Sequence, residues 1–224
     1  MAHASIVRRF RAPRPDTITI EPGTIDDLRS LSRFHYAAGR PGPVTRILRA
    51  LDDSETIGVL VASMPTLNGR WRAIAWPGDY DTRDKRANAL RLNRDIRVIS
   101  RVIVDPRYRG RGLAVRLVRT YLDQPCTPRT EALATMAHAC PFFERAGMDR
   151  IDLPPSNADA KLLRAMDRHG VRRPDLLAPV PDAILPALRT WARTRKLRGS
   201  DIAARAFALL THPPVAHVHE RSEP

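Results

Sequence analysis

Lysine is nearly missing from this 224-residue chain: of 38 Lys and Arg, only Lys85, Lys161 and Lys196 are lysines. Base composition accounts for arginine over lysine, but not for a net charge of +14 against only 24 Asp and Glu. Such a surplus fits an acidic partner, either nucleic acid or a phosphate-rich cofactor. Cysteine is scarce too. Cys126 and Cys140 are the only two, which excludes a disulfide framework and a thiolate metal site and leaves them as small buried or half-buried residues. His217 and His219 share one side of an alternating stretch, yet no Asp, Glu or Cys stands at ligand spacing, so no metal is expected. No apolar run approaches the length of a membrane span, and Met1 to Phe10 lacks an apolar signal core. The expectation is a cytoplasmic protein with no membrane partner. Hydrophobic content of 43% with 28% charged residues is the balance of a globular chain, long enough for one buried domain with an appendage or for two small ones.

What is present is organised around residues 98–119. Val98 to Val104 is a β-branched run stopped by Pro106, which reads as a buried strand. Beyond it, Leu113, Leu117, Val118, Tyr121 and Leu122 recur at helical spacing and predict a helix laid on a sheet. Gly110 and Gly112 stand at the junction, where the unpaired amides of a first helical turn attract anions. Two phosphate cradles are excluded by spacing: no Gly-x-x-x-x-Gly-Lys-Ser/Thr string occurs, and Val115 stands where a dinucleotide fingerprint needs its third glycine.

The remaining pattern, Arg107-x-x-Gly110-x-Gly112, resembles the acyl-CoA signature of the GNAT N-acetyltransferase superfamily. Downstream, Phe142-Phe143-Glu144-Arg145-Ala146-Gly147-Met148 matches the superfamily's Phe-Tyr-x-x-x-Gly-Phe in spacing. The resemblance implies an α/β fold, a mixed central sheet flanked by helices, with a C-terminal helical extension. It implies acetyl-CoA or another acyl-CoA as cofactor, held by Val102, Val104, Arg107, Arg109, Gly110, Arg111, Gly112, Leu113, Ala114 and Phe143. Tyr36, His35, Arg101 and Ser100 are the expected catalytic residues. Phe143 departs from the pattern, because the tyrosine that protonates the leaving thiolate is replaced; the role is vacant or has moved to Tyr36, Tyr108 or His138. Short strings around Phe34-His35-Tyr36 and Ser100-Arg101 also resemble a divergent branch that includes Mom-type proteins modifying adenine in DNA and GNAT-like domains fused to ABC-type ATPases.

Along the chain, residues 1–15 read as a basic arm, 16–153 as the acyl-CoA-binding domain, and 154–224 as the helical extension, with a last strand returning at about 214–220. Thr17 to Glu21, Val44 to Leu51, Thr56 to Ser63, Thr130 to Ala137 and Arg150 to Leu153 are further expected strands. Thr24 caps a helix whose apolar face is Ile25, Leu28, Leu31 and Phe34. At its exit, His35 and Tyr36 either handle protons or are a surface imidazole and a packed aromatic. Pro65 to Asp81, with Trp71, Trp76 and Tyr80, covers a cleft in preference to stacking nucleobases. Arg101 shares its strand face with Ile99 and Ile103 in this reading and therefore needs an anion, either Glu131 or a ligand.

The function expected from these residues is acyl-CoA-dependent transfer of an acyl group to an amine by a monomer or homodimer. Two alternatives stay open: a nucleic-acid-modifying enzyme on the same fold, and an acyl-CoA-binding module without chemistry.

Overall fold

A computed structural model describes residues 17–35, 41–199 and 201–221. In chain order it gives β1 (Ile18–Pro22), α1 (Ile25–Leu31), β2 (Val44–Asp52), β3 (Glu55–Ser63), α2 (Arg72–Ala75), α3 (Lys85–Asp95), β4 (Ile96–Val104) and α4 (Leu113–Asp123). There follow β5 (Arg129–Ala134), α5 (Phe142–Arg145), β6 (Asp149–Ile151), α6 (Asn157–Arg168), α7 (Leu185–Thr194), α8 (Ile202–Thr211) and β7 (Val215–Glu220). The class is α/β, strands flanked by helices, as expected. Residues 1–16, including the expected basic arm, lie outside the described residues.

Two compact units divide the chain. The first holds residues 17–65, 93–130 and 220–221 of those described; the second holds 66–92 and 131–219. The segment between β3 and β4 belongs with late residues: Arg72 is paired with Glu131, 59 residues away.

The first unit is an antiparallel run β1-β2-β3-β4 with helices on it. Thr24 caps α1 as expected, in a reciprocal arrangement with Asp27. Leu28 and Leu31 pack on Ile47, Val59, Val61 and Ile103. On α4 all five predicted residues, Leu113, Leu117, Val118, Tyr121 and Leu122, are buried. Gly58 lets that helix come close, since a Cβ there would stand 3.2 Å from Leu117 and 3.4 Å from the Ile103 carbonyl. Burying each large side chain of the stripe contributes about 1.5–3 kcal/mol.

In the second unit β7 lies between β5 and β6, antiparallel to β6. The helices between Ser156 and Thr211 are thus an insertion before a closing strand. Their core is Leu162, Met166, Leu176, Ile184, Leu188, Trp191 and Leu210. Asp159 ties it together: Ser156 and Arg195 reach it at 2.5 Å and the Trp191 indole at 2.8 Å. Burial pushes the Asp159 carboxyl up, but these donors outweigh it and hold the group ionised below its usual range.

The cysteine expectation needs correction. Both Cys126 and Cys140 are exposed, because each sits beside a proline in a connection between elements rather than in a strand or helix that faces a core.

Candidate active site

Strand β4 is interrupted where the site was expected. Arg101 pairs with Val61 but Ile99 pairs with Ala62, so Ser100 is an extra residue, a β-bulge. The interruption corrects the reading of Arg101. Val61 and Ala62 face opposite sides of β3, so Arg101 and Ile99 do too; only Ile103, opposite Val59, shares the arginine's face. Arg101 is half-buried, not enclosed, and its Nη1 donates to the Ser100 carbonyl at 2.7 Å. Glu131 has other partners. That carboxylate is engaged by Arg72 and by the Trp71 indole at 2.7 Å. The Ser100 hydroxyl is 2.8 Å from that of Ser63 and donates to the Val61 carbonyl at 3.2 Å. Farther along the strand, Val102 pairs with Leu60 and Val104 with Gly58.

After β4 the chain makes a short turn, Pro106–Tyr108, capped by Asp105, which accepts the Arg107 amide at 2.9 Å. Arg107 folds back on the same carboxylate at 3.1 and 2.9 Å and also reaches Glu55. Its charge is therefore already matched. The Arg107 hydrogen bond dominates over burial in holding Asp105 below the usual carboxylate range. Arg109 donates to the Val104 carbonyl at 3.1 Å and to the Phe34 carbonyl at 3.3 Å. It brings the end of the α1 segment, and with it His35, to the turn. His35 is half-buried and closes that segment through its own amide, 3.1 Å from the Ser32 carbonyl. Tyr36 lies outside the described residues.

Gly110 and Gly112 have φ of 77° and 75°, and a Cβ on either would meet nothing within 4 Å. Conformation, not crowding, requires glycine there. Gly112 is the N-cap of α4 and has no side chain to satisfy the helix's first amides. Arg111 is exposed, Leu113 buried and Ala114 half-buried beside them. A cradle of backbone donors open to solvent on a positive helix end is what a diphosphate requires. These residues fit that group.

The other expected residues belong to the second unit or are otherwise engaged. Phe143 is buried in the second unit, its ring 4.3 Å from that of Phe142 and 5.2 Å from that of His217. Of the alternative proton donors, Tyr108 is buried and donates to Asp52 at 3.0 Å; burial first, then that carboxylate, pushes its pKa up to about 12. His138 is exposed, 2.9 Å from the Pro213 carbonyl. Sequence spacing weighs His217 only as one of a histidine pair and misses its surroundings. It is fully buried, with Nε2 3.3 Å from Glu144 and no partner for Nδ1 among the described residues. Burial lowers its pKa, with Glu144 opposing. Alternation gives no signal for this, because Val215, Ala216, His217 and Val218 are all buried, on both faces of the strand.

Residues 80–163 match the family model of the acetyltransferase (GNAT) domain. Over that stretch, a little over a third of its length, the chain is similar to GNAT acetyltransferases. Acyl-CoA is the cofactor that the matched family implies, and the matched stretch includes β4, both glycines and the whole of α4. Similar solved structures include a mutant of agmatine N-acetyltransferase in its apo form, at 17% identity over 60% of this chain and 84% of that one, TM-score 0.40. Another is the GNAT family N-acetyltransferase YhbS from Escherichia coli in complex with CoA, at 19% identity over 62% and 71%, TM-score 0.39. A third is the aminoglycoside acetyltransferase AAC(6')-Ib with coenzyme A and kanamycin, at 17% over 62% and 88%, TM-score 0.40. No curated protein matches the chain. Among the described residues no helix is long and apolar enough to cross a membrane.

Proposed function

We propose that this chain is a GNAT-type acyltransferase that moves an acyl group, in the first instance acetyl, from acyl-CoA to an amine. The observation that carries the reading is the pair Gly110 and Gly112, both at positive φ with open space where a Cβ would stand, at the mouth of α4. The amides from Arg109 to Ala114 would hold the diphosphate, and the helix end favours its charge. Bound acyl-CoA supplies an activated acyl group with a thiolate leaving group. The chain's own part is to bind, orient and handle protons. The bulge at Ser100 takes one residue out of the β3–β4 ladder, and in this reading the thioester arm would lie along Ser100, Val102 and Val104. A donor fixed there would steady negative charge developing on an acyl oxygen, and Arg101 adds positive charge at the same level. The Ser100 hydroxyl is engaged with Ser63 and Val61, which makes it a positioning group. Proton transfer to and from the amine falls to His35 and Tyr36, since Phe143 has no proton to give and Tyr108 holds its own tightly.

Calorimetry with acetyl-CoA, paired with a thiol-release assay over small amines and polyamines, tests the reading. Binding heat and thiol release are expected; absence of heat with any CoA species overturns it. The net charge of +14 favours a second reading in which the acceptor amine is on a nucleobase, as in the Mom-type branch. DNA or RNA incubated with protein and acetyl-CoA, then digested and weighed as nucleosides, decides between them. Stabilisation by acetyl-CoA without thiol release from any acceptor would point instead to a binding module.

A further inference from the structure

The second unit contains a cavity of about 620 Å³ that the acyl-CoA reading does not use. Its volume lies within the range of small-molecule sites, roughly 300–1,000 Å³. Trp71, Leu133, Leu153, Leu163 and Leu209 supply apolar wall, and Pro154, Pro155, Pro213 and Pro214 stiffen the chain around it. Leu133 is 48% exposed, an apolar surface left without cover by the protein's own side chains.

The polar groups on this wall are unequal. Among the lining residues Asp159 brings the only carboxylate, and Arg195 neutralises it at 2.5 Å. Two further guanidiniums, Arg70 and Arg173, also line the cavity. Arg70 donates to the neutral carbonyl of Pro154, and among the described residues neither arginine is paired with a carboxylate. Two side chains on the same wall carry buried polar atoms without a hydrogen-bond partner, Thr211 Oγ1 and Arg195 Nε. Apolar walls beside two uncompensated cations describe the complement of an amphiphilic anion.

We infer that this cavity binds a small carboxylate with an apolar, ring-sized body, its carboxylate at Arg70 and Arg173. The binding stands whether or not the acyltransfer reading holds. Such a ligand is either the acceptor, if it also carries a primary amine, or an effector that is not consumed.

The test is calorimetry on the full chain without CoA, using indole-3-propionate, its neutral amide and the cation tryptamine. The carboxylate is expected to bind at least about tenfold more tightly than the amide, the size of one charge-assisted hydrogen bond, and tryptamine more weakly still. The double variant Arg70→Ala/Arg173→Ala, altered at exposed positions, should erase the preference for carboxylate over amide. Leu163→Trp should fill the space and abolish binding of both. Equal binding of acid and amide, no binding of any probe, or retention of the preference in the arginine variant overturns the inference. If Leu163→Trp unfolds, the arginine variant still decides. With tryptophan as probe and acetyl-CoA added, a product mass identifies an acceptor; binding without product identifies an effector.

Discussion

Two arginines, one in each unit, make similar bonds in different surroundings. Arg107, in the turn before α4, grips Asp105 and Glu55 with 48% of its side chain exposed. Arg72, at the start of α2, grips both oxygens of Glu131 at 2.8 and 2.5 Å with 3% exposed, against 1% for its partner. Arg72 also donates to the carbonyls of Thr66 and Leu67 at 2.8 and 3.3 Å. A guanidinium so enclosed must have its donors met, because the protein has removed the water that would otherwise do so. At Arg107 water remains an alternative partner. The same pairing thus fixes the path of the segment before β4 in one unit and only trims a turn in the other.

Breaking the enclosed pair should therefore have the largest effect. Glu131→Gln leaves Arg72 charged and buried, and is expected to cost about 3–5 kcal/mol in urea unfolding. Replacing both, Arg72→Met with Glu131→Leu, should recover most of that loss, with a remainder from the Trp71 indole that also loses its acceptor. A double variant as unstable as the single one would mean that charge burial is not what sets the cost.

Little of this pair is legible in the sequence. Arg72 and Glu131 are 59 residues apart, and no local pattern links them; the order of the strands alone points Glu131 at Arg101 instead. The stripe on α4 is legible because every residue that defines it lies within three turns. Ser100 is legible as a position but not as a bulge, since an extra residue changes neither composition nor local spacing, and it turns Ile99 away from Arg101. The two glycines are legible as backbone-permissive positions, and their positive φ is the physical reason. The cavity of the second unit has no sequence signal, because its walls come from separate stretches between Asn68 and Pro214.

Next in size are the glycines, where a matched control exists. Gly112 and Gly78 both have positive φ, 75° and 84°, with nothing within 4 Å of an added Cβ. Alanine at either should cost about 1–2 kcal/mol of stability from left-handed strain. Only Gly112→Ala should also weaken acetyl-CoA binding, since Gly78 is not at a helix N-terminus that the proposed diphosphate uses. Equal loss of binding from both would reduce the Gly112 effect to general destabilisation.

A smaller effect belongs to acid. His217 is fully buried beside Phe143, Glu144 and Arg150, and burial favours its neutral form. Its folded pKa lies below the ordinary 6.5, so the unfolded chain takes up the proton first. Stability from this residue is complete above about pH 6.5 and declines as pH falls, with a slope of at most about 1.4 kcal/mol per pH unit. His217→Gln should flatten that slope. Asp27 behaves alike at lower pH: burial opposes, but hydrogen bonds from Thr56, Thr24 and Arg49 bring it to about 2. Its contribution is present above about pH 4 and lost towards pH 2.

The smallest effect returns to Arg107. Glu55→Gln removes one carboxylate from a guanidinium that keeps Asp105 at 2.9 Å and remains accessible to water. The change in unfolding free energy should stay within about 0.5 kcal/mol, and added salt should shrink it further. Releasing Arg107 from Glu55 also leaves more positive charge near the turn, so acetyl-CoA affinity should hold or rise slightly. A loss of several kcal/mol from Glu55→Gln, comparable with that from Glu131→Gln, would show that solvent access does not separate the two arginines.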